Sequence, residues 1–359
     1  MVMSTADGMN YAPKGKQAPV VKPGEFPFAA AFLDHGHING QCNGLTEAGG
    51  DLRYVYDPDP AKVEAFLKRF PQAQPVDCFE RILDNPEIRL VAAAAIPNRR
   101  GPIGCRVMQA GKDYFTDKTP FTTLGQLAEA RRITEETGRK YMVYYSERLH
   151  VESAIFAGDL IEQGAIGNVV QVVGFGPHRL SAPSRPAWFF DREQYGGILC
   201  DIGSHQFDQY LAFSGATDAT IVSATVGNKN NPEYPELEDF GDAHLIGNNG
   251  TTNYIRVDWF TPDAARTWGD GRTLILGTKG YIELRKYVEV GRPEEQGNQL
   301  YLVNHDTEKR FDCAGKVGFP YFSRLILDCL NRTENAMTQA HAFKAAELCL
   351  LAQKKALRI

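Results

Sequence analysis

Phe26-Pro-Phe-Ala-Ala-Ala-Phe-Leu-Asp-His-Gly-His-Ile-Asn-Gly40 is the stretch that decides how this chain folds. Its first eight residues, 26–33, form an unbroken apolar run, the pattern of a parallel strand buried on both faces. A turn containing Gly36 follows, then a helical stretch to about Ala48. Residues 51–57 read as a second strand. Asp59 caps a helix that starts at Pro60 and runs to about Phe70. Residues 88–95 are a third apolar run, 102–110 a helix stopped by Gly111, and 114–116 a short strand. Thr123 and Gln126 make a capping box for a helix to about Thr137, and a strand over 141–145 closes the set. Alternation at this spacing specifies an α/β fold with a Rossmann-type, doubly wound parallel sheet.

The chain has 359 residues, enough for two domains. Its 43% hydrophobic and 23% charged content is that of a soluble globular protein. A net charge of −5 with no long basic run speaks against nucleic acid and anionic membrane as partners. No apolar run approaches the ~18 residues of a membrane span. Residues 1–25 hold Pro13, Pro19, Pro23, Lys14, Lys16 and Lys22 with few large apolar groups. They read as a flexible arm, or one lying over a neighbouring subunit, and not as a signal peptide. Seven scattered cysteines without a C-x-x-C pair fit buried thiols in a reducing cytoplasm. The expected division is an arm over 1–25, a nucleotide-binding domain over 26–146 and a second domain over 147–359.

A dinucleotide would sit at the first strand-to-helix turn, where backbone and a helix N-terminus meet the pyrophosphate. Against the G-x-G-x-x-G template, Asp34 occupies the first glycine, Gly36 the second and Asn39 the third, with Gly40 one later. Gly36, His37 and Ile38 are the turn residues expected against the cofactor. Asp57 ends the second strand 21 residues after Gly36, where the fingerprint asks for an acid on the ribose. A carboxylate there repels a 2′-phosphate, so NAD(H) is preferred over NADP(H). The plainer reading makes Asp57 a turn residue of Asp-Pro-Asp-Pro. His35 and His37 form an H-x-H pair of the kind that can ligate a metal; contact with cofactor or solvent is the favoured reading, and no metal is expected. Asp117 and Lys118 fall at the carboxyl end of a late strand, the ligand end of an open α/β sheet.

The second half opens with a helix over 151–163 and a strand over 169–175. Tyr195-Gly-Gly-Ile-Leu-Cys-Asp-Ile-Gly-Ser-His-Gln-Phe-Asp208 then carries apolar residues at helical spacing, and Asp201 and His205, four apart, share one helix face. A carboxylate there can orient the imidazole and stabilise its charged form. Period-2 or apolar runs at 221–226, 243–246, 252–260, 272–276, 281–285 and 300–303, with hairpin turns at 248–250 and 278–280, describe a mostly antiparallel sheet. One face is free for a partner subunit, so a homodimer or homotetramer through this sheet is expected. Helices over 321–331 and 338–357, the latter capped by Thr338, finish the chain. Tyr145, Arg148, His178, Arg179 and Trp188 are candidates for a substrate pocket, with Arg185, Trp259 and Arg272 behind them, because aromatic faces stack on sugar rings and arginines fork onto anions.

Residues 111–121 are similar to the G-K-H-V-x-x-E-K-P stretch of the Gfo/Idh/MocA oxidoreductases. Ile96-Pro97-Asn98 resembles that family's T-P-N loop over the nicotinamide, and 195–208 its G-G-G-x-x-x-D-x-G-x-H-x-x-D segment. The resemblance runs from about Phe26 to the C-terminus. It implies catalytic roles for Lys118, Asp201 and His205, and cofactor contacts for Gly36, Asp57, Pro97 and Asn98. Asp117 stands where the family has Glu, Gly101 where a histidine is often found, and Thr119 precedes Pro120, so the family's cis Lys-Pro bond cannot form there. The implied activity is a sugar dehydrogenase: hydride passes between nicotinamide and a secondary alcohol of a sugar, cyclitol or related polyol. A lyase or glycoside hydrolase using tightly held NAD for a transient oxidation is one alternative; a non-enzymatic NAD(H)-binding module is another. A metal hydrolase on Asp201, His205, His178 and His35/His37 is the least favoured.

Overall fold

A computed structural model describes residues 8–15 and 18–359; residues 1–7 and 16–17, part of the expected arm, lie outside the described residues. The chain forms two compact units, Met9–Tyr144 with Gly318–Phe343, and Tyr145–Val317 with Lys344–Ile359 and Gly8. A linear division at 146/147 does not include the return of 318–343 to the first unit.

The first unit holds strands β1 (Pro27–Ala31), β2 (Asp51–Tyr56), β3 (Gln74–Pro75), β4 (Leu90–Ala93), β5 (Asp113–Asp117) and β6 (Tyr141–Tyr144). All pair in parallel in the order β3-β2-β1-β4-β5-β6, the doubly wound order that reverses between β1 and β4. Every residue of β1, β4, β5 and β6 is buried, as their apolar runs require. Between the strands run α1 (Ile38–Glu47), α2 (Pro60–Arg69), the single turn α3 (Glu80–Leu83), α4 (Pro97–Gln109) and α5 (Leu124–Thr137). The Asp59 side chain accepts from the Ala61 amide at 2.9 Å and Thr123 from the Gln126 amide at 3.2 Å, as the caps predict. α4 begins five residues before the expected start. Pro97 takes the first helical position, where its missing N–H costs nothing, so Pro97 and Asn98 open a helix instead of forming a loop.

Much of the described arm is tied down. Gly15 N–H donates to Glu47 Oε2 at 2.7 Å, Asn43 to the Ala12 carbonyl at 3.2 Å, and Val20 N–H to the Ala48 carbonyl at 3.0 Å. The expectation of a free arm fails for these residues because α1 and its C-cap residue offer them hydrogen-bond partners.

The second unit opens with α6 (Ser146–Leu149) and α7 (Glu152–Glu162), then β7 (Val169–Pro177), α8 (Arg192–Tyr195), α9 (Ile198–Asp201) and α10 (Gly203–Ser214). Strands β8 (Ala219–Gly227), β9 (Phe240–Gly247), β10 (Thr252–Asp258), β11 (Arg272–Gly277), β12 (Gly280–Arg285), β13 (Gln299–Asn304) and β14 (Glu308–Asp312) follow. Then come α11 (Pro320–Asn331) of the first unit, α12 (Gln339–Lys355) and β15 (Leu357–Arg358). The nine-stranded sheet has the order β14-β13-β12-β11-β7-β10-β9-β8-β15. Among the described residues only β7–β10 and β8–β15 pair in parallel in this sheet, so it is mostly antiparallel as expected. β14 and β15 are too short and polar to stand out in the sequence. No helix among the described residues is long and apolar enough to cross a membrane.

α11 seats on α1 through a glycine. A Cβ at Gly44 would lie 2.4 Å from the ring of Phe322, which is fully buried. Gly44→Ala therefore forces the two helices apart and is expected to cost about 1–3 kcal/mol. Equilibrium denaturation checks this; an unchanged midpoint would show that α11 does not rest on α1 at this point.

Candidate active site

At the carboxyl end of the parallel sheet the first unit gathers a buried polar cluster around Asp117, the last residue of β5. Its carboxylate has no exposed surface and accepts from three directions. His37 Nδ1 lies 2.9 Å from Oδ1, the Lys118 amide donates to Oδ1 at 2.8 Å, and Arg100 Nη2 donates to Oδ2 at 3.1 Å. His35 Nδ1 stands 3.2 Å from Oδ2. Arg100, on α4, is 1% exposed and also donates to the carbonyls of Ala95, Lys118 and Thr119. Both residues after β5 are thus held by their backbones, and Lys118 leaves the strand end in a fixed direction. The Lys118–Thr119 bond is cis although its second residue is a threonine and not a proline.

The histidines are buried and turned to Asp117, not to solvent. Their donor atoms and that of Asp117 lie within 4.8 Å of one another, a spacing compatible with a metal. The charge is already balanced, however: Arg100 neutralises Asp117, and the Lys118 ammonium is close enough to influence His35. A dication would add to two buried cations, which a low-dielectric site penalises heavily. The cluster therefore acts as a hydrogen-bonded hub. Burial, then His37, Lys118 and Arg100, hold His35 well below the ordinary imidazole value. Burial works to raise the Asp117 carboxyl, but His37, Arg100 and His35 outweigh it and hold it well below the carboxylate range.

The turn between β1 and α1 holds Gly36 and His37, and Ile38 opens the helix. The N-cap residue His37 makes no side-chain capping bond, turning its ring to Asp117 instead, and no acid stands in the first turn of α1. A helix N-terminus with no acid in its first turn, at the point where the strand order reverses, fits the pyrophosphate of a dinucleotide. Asp57 follows β2 as expected, but its carboxylate accepts from the Leu33 and Asp59 amides at 2.6 and 2.8 Å. Pro97 is buried, and the Asn98 carbonyl accepts from Gln126 at 2.8 Å.

In the second unit, Asp201 and His205 do not share one continuous helix. α9 ends at Asp201, Ile202 follows with helical angles, and α10 starts at Gly203. Ser204 Oγ donates to the Asp201 carbonyl at 2.8 Å, and His205 N–H bonds back only three residues, to Ile202. That local hydroxyl bond competes with the helical ladder. The preceding Gly196 and Gly197 have φ of 89° and 97°; a Cβ at Gly197 would meet Gln353 at 2.4 Å.

His205 is 2% exposed, and its helix is linked to a buried ion pair that the sequence did not disclose. Glu147, on α6, accepts from Lys286 Nζ at 2.9 Å and Gln206 Nε2 at 3.0 Å, with neither charge exposed beyond 3%. Gln209 donates both to Glu147 (3.4 Å) and to the His205 carbonyl (2.9 Å), linking the pair to α10. Burial tends to raise the Glu147 carboxyl, but Lys286, then His205 and His178, hold it well below the usual range. Glu147 and Lys286 are 139 residues apart, and no local pattern joins them.

Several expected pocket residues are engaged elsewhere. Arg148 forks onto Asp208, with Nε and Nη2 each at 2.7 Å from a carboxylate oxygen, and so locks α6 to α10. Arg179 Nη2 donates to the carbonyls of Pro262, Asp263 and Ala265. Tyr145 is fully buried, and the His178 ring packs edge-on to Trp259 with centroids 5.6 Å apart. Trp188 is half-buried, against Phe189. Trp259, 6% exposed, is core.

These two units, a dinucleotide-type parallel sheet and a lobe with a mostly antiparallel sheet, define a two-domain nucleotide-dependent oxidoreductase class. Residues 29–145 match the NAD-binding Rossmann fold of the oxidoreductase family and residues 156–283 the GFO/IDH/MocA C-terminal domain. The chain belongs to the Gfo/Idh/MocA family. A protein from Erwinia carotovora atroseptica, assigned as an oxidoreductase and solved as a crystal structure, is 48% identical, with a TM-score of 0.90 over 93% of this chain and 100% of that one. The scyllo-inositol 2-dehydrogenase (NAD(+)) of Bacillus subtilis is 25% identical over 77% of this chain and 79% of its own length. The NADP(+)-linked scyllo-inositol 2-dehydrogenase of the same organism is 26% identical over 47% of each. The matches to two further curated relatives span 51% and 38% of those proteins.

Stability should fall as the solution is acidified, because His35, Glu147 and Asp117 all bind more protons unfolded than folded. The contribution of His35 is fully present above its ordinary value of 6.5 and is lost below it. Those of Glu147 and Asp117 are present above 4.5 and 3.8 and are lost as pH falls through their lowered folded values. Denaturant titrations from pH 8 to 4 are expected to show a stepwise decline, with the first step missing in His35→Asn. Constant or rising stability between pH 7 and 5 would exclude a neutral buried His35.

Proposed function

We propose that the protein is a dehydrogenase that uses NAD(H) to oxidise or reduce a secondary alcohol of a sugar, cyclitol or related polyol. Membership of the family, together with inositol dehydrogenases among its relatives, supports the reaction and substrate class. The observation that carries the reading is the hub at Asp117, which fixes the departure of Lys118 from the ligand end of the sheet. The nicotinamide, when bound, supplies the hydride acceptor. Lys118 holds the alcohol oxygen and stabilises the charge that develops on it. His205 takes the hydroxyl proton, a transfer worth about 10²–10⁴-fold from a positioned base. Glu147, kept charged chiefly by Lys286, interacts electrostatically with His205. Asp201 orients the histidine or the substrate. Gly36, His37 and Ile38 line the pyrophosphate turn.

A panel of sugars, sugar acids and inositols with NAD⁺, read as NADH formation, tests the reading. With a responsive substrate, Lys118→Ala and His205→Asn are each expected to cut turnover about a hundredfold or more while NADH still binds. Near-normal turnover in both variants removes this assignment. Conversion of a substrate with no net change in NADH would point instead to an internal redox cycle.

We place the protein in the cytoplasm as a homodimer or homotetramer formed through the nine-stranded sheet. Ile246, Leu274, Leu276 and Tyr281 support this, each at least 40% exposed on a strand. Six of the seven cysteines are buried and all are free. Leu274→Glu with Leu276→Glu is expected to yield monomers in sedimentation experiments; a wild-type protein that is monomeric at micromolar concentration would refute the assembly.

A further inference from the structure

The acid that ends β2 is not the one that faces outward. Both Asp57 oxygens accept from amides of neighbouring turns, and its side chain is 1% exposed. Asp34, at the template's first glycine, keeps a side chain 14% exposed. Its Oδ2 accepts from the Ile96 amide beyond β4 at 3.2 Å, and its Oδ1 receives Lys62 Nζ, from α2, at 2.5 Å. Lys62 is 36% exposed and stands 3.9 Å from Asp57 Oδ1. At the reversal of strand order, then, two carboxylates share one ammonium. The Asp34–Lys62 pair is the part of this set that a ligand can reach.

Resting on the dinucleotide reading above, we propose that Asp34 and Lys62, and not Asp57, read the adenosine ribose and select the unphosphorylated cofactor. A vicinal diol matches the pair: its hydroxyls donate to the Asp34 carboxylate and accept from the Lys62 ammonium. A 2′-phosphate meets two carboxylates and a single cation already committed to Asp34. Binding it would require Lys62 to leave Asp34, exposing the phosphate to an uncompensated like charge. Burial works against the charge on Lys62, but Asp34 and then Asp57 outweigh it and keep the ammonium charged. Asp57 contributes indirectly, by shaping the turn from which Asp34 projects.

Calorimetric titration of NADH and NADPH, with no alcohol present, tests this. The wild-type protein is expected to bind NADH about tenfold or more tighter than NADPH, and Asp34→Asn to abolish most of that difference by weakening NADH. Asp34→Gly restores the template's glycine, frees Lys62 and is expected to favour NADPH. Lys62→Met should weaken NADH, and Asp57→Asn should leave the NADH-to-NADPH ratio within about twofold of wild type. Thermal unfolding of each variant separates loss of binding from loss of fold, and Lys62→Met, changing a part-exposed side chain, keeps the test open if an Asp34 variant is unstable. A ratio unmoved by both Asp34 variants and by Lys62→Met, or one abolished by Asp57→Asn alone, overturns the assignment while leaving the dinucleotide reading intact. Failure of wild-type protein to bind either nucleotide overturns both.

Discussion

A carboxylate with no access to water has to be paired, and the ligand edge of the first unit is built to pair Asp117. Burying one ion without its partner costs several kcal/mol, so β5, the turn before α1 and the first turns of α4 are obliged to arrive together. Arg100 does more than cancel the charge. Its remaining N–H groups hold the carbonyls on either side of the Lys118–Thr119 bond, converting electrostatic necessity into backbone position. A well-packed apolar replacement for such a pair is often as stable. The ionic solution is better explained by what it orients than by the stability it adds.

The second unit repeats the device with different parts. Glu147 and Lys286 are both shielded from solvent and are bridged by glutamines to the helix carrying His205. The paired carboxylate interacts with the His205 ring from within the protein interior. Each unit thus rests its principal candidate side chain on a buried ion pair. The two pairs differ in sign: a cation steadies the surroundings of Lys118, an anion those of His205.

Much of the architecture was legible because it is written in short-range patterns. The apolar runs at 26–33 and 88–95 could only be strands buried on both faces, and Asp59-Pro60 and Thr123 marked helix starts to the residue. The site was less legible, for two reasons. Buried ion pairs such as Arg100–Asp117 and Glu147–Lys286 join residues distant in sequence, so neither partner announces the other. Arginines read as pocket residues, Arg148 and Arg179, were consumed by carboxylates and carbonyls of the fold itself. Asp57 was visible, and its alternative role as a turn residue describes what its oxygens do. The break between Asp201 and His205 turns on one serine hydroxyl, a choice that periodicity does not register.

The return of 318–343 to the first unit bears on how the protein is made. α1 presents Gly44 to Phe322, and the β5 residue Phe115 faces Tyr321 and Phe322 with ring centroids 6.0 and 6.3 Å apart. A nascent chain emerging from the ribosome has all six parallel strands long before it has the helix that covers them. The N-terminal lobe must therefore wait, its apolar flank bare, until nearly the whole polypeptide is synthesised, which makes that interval the natural moment for chaperone engagement and makes a fragment cut after β6 a poor candidate for independent expression.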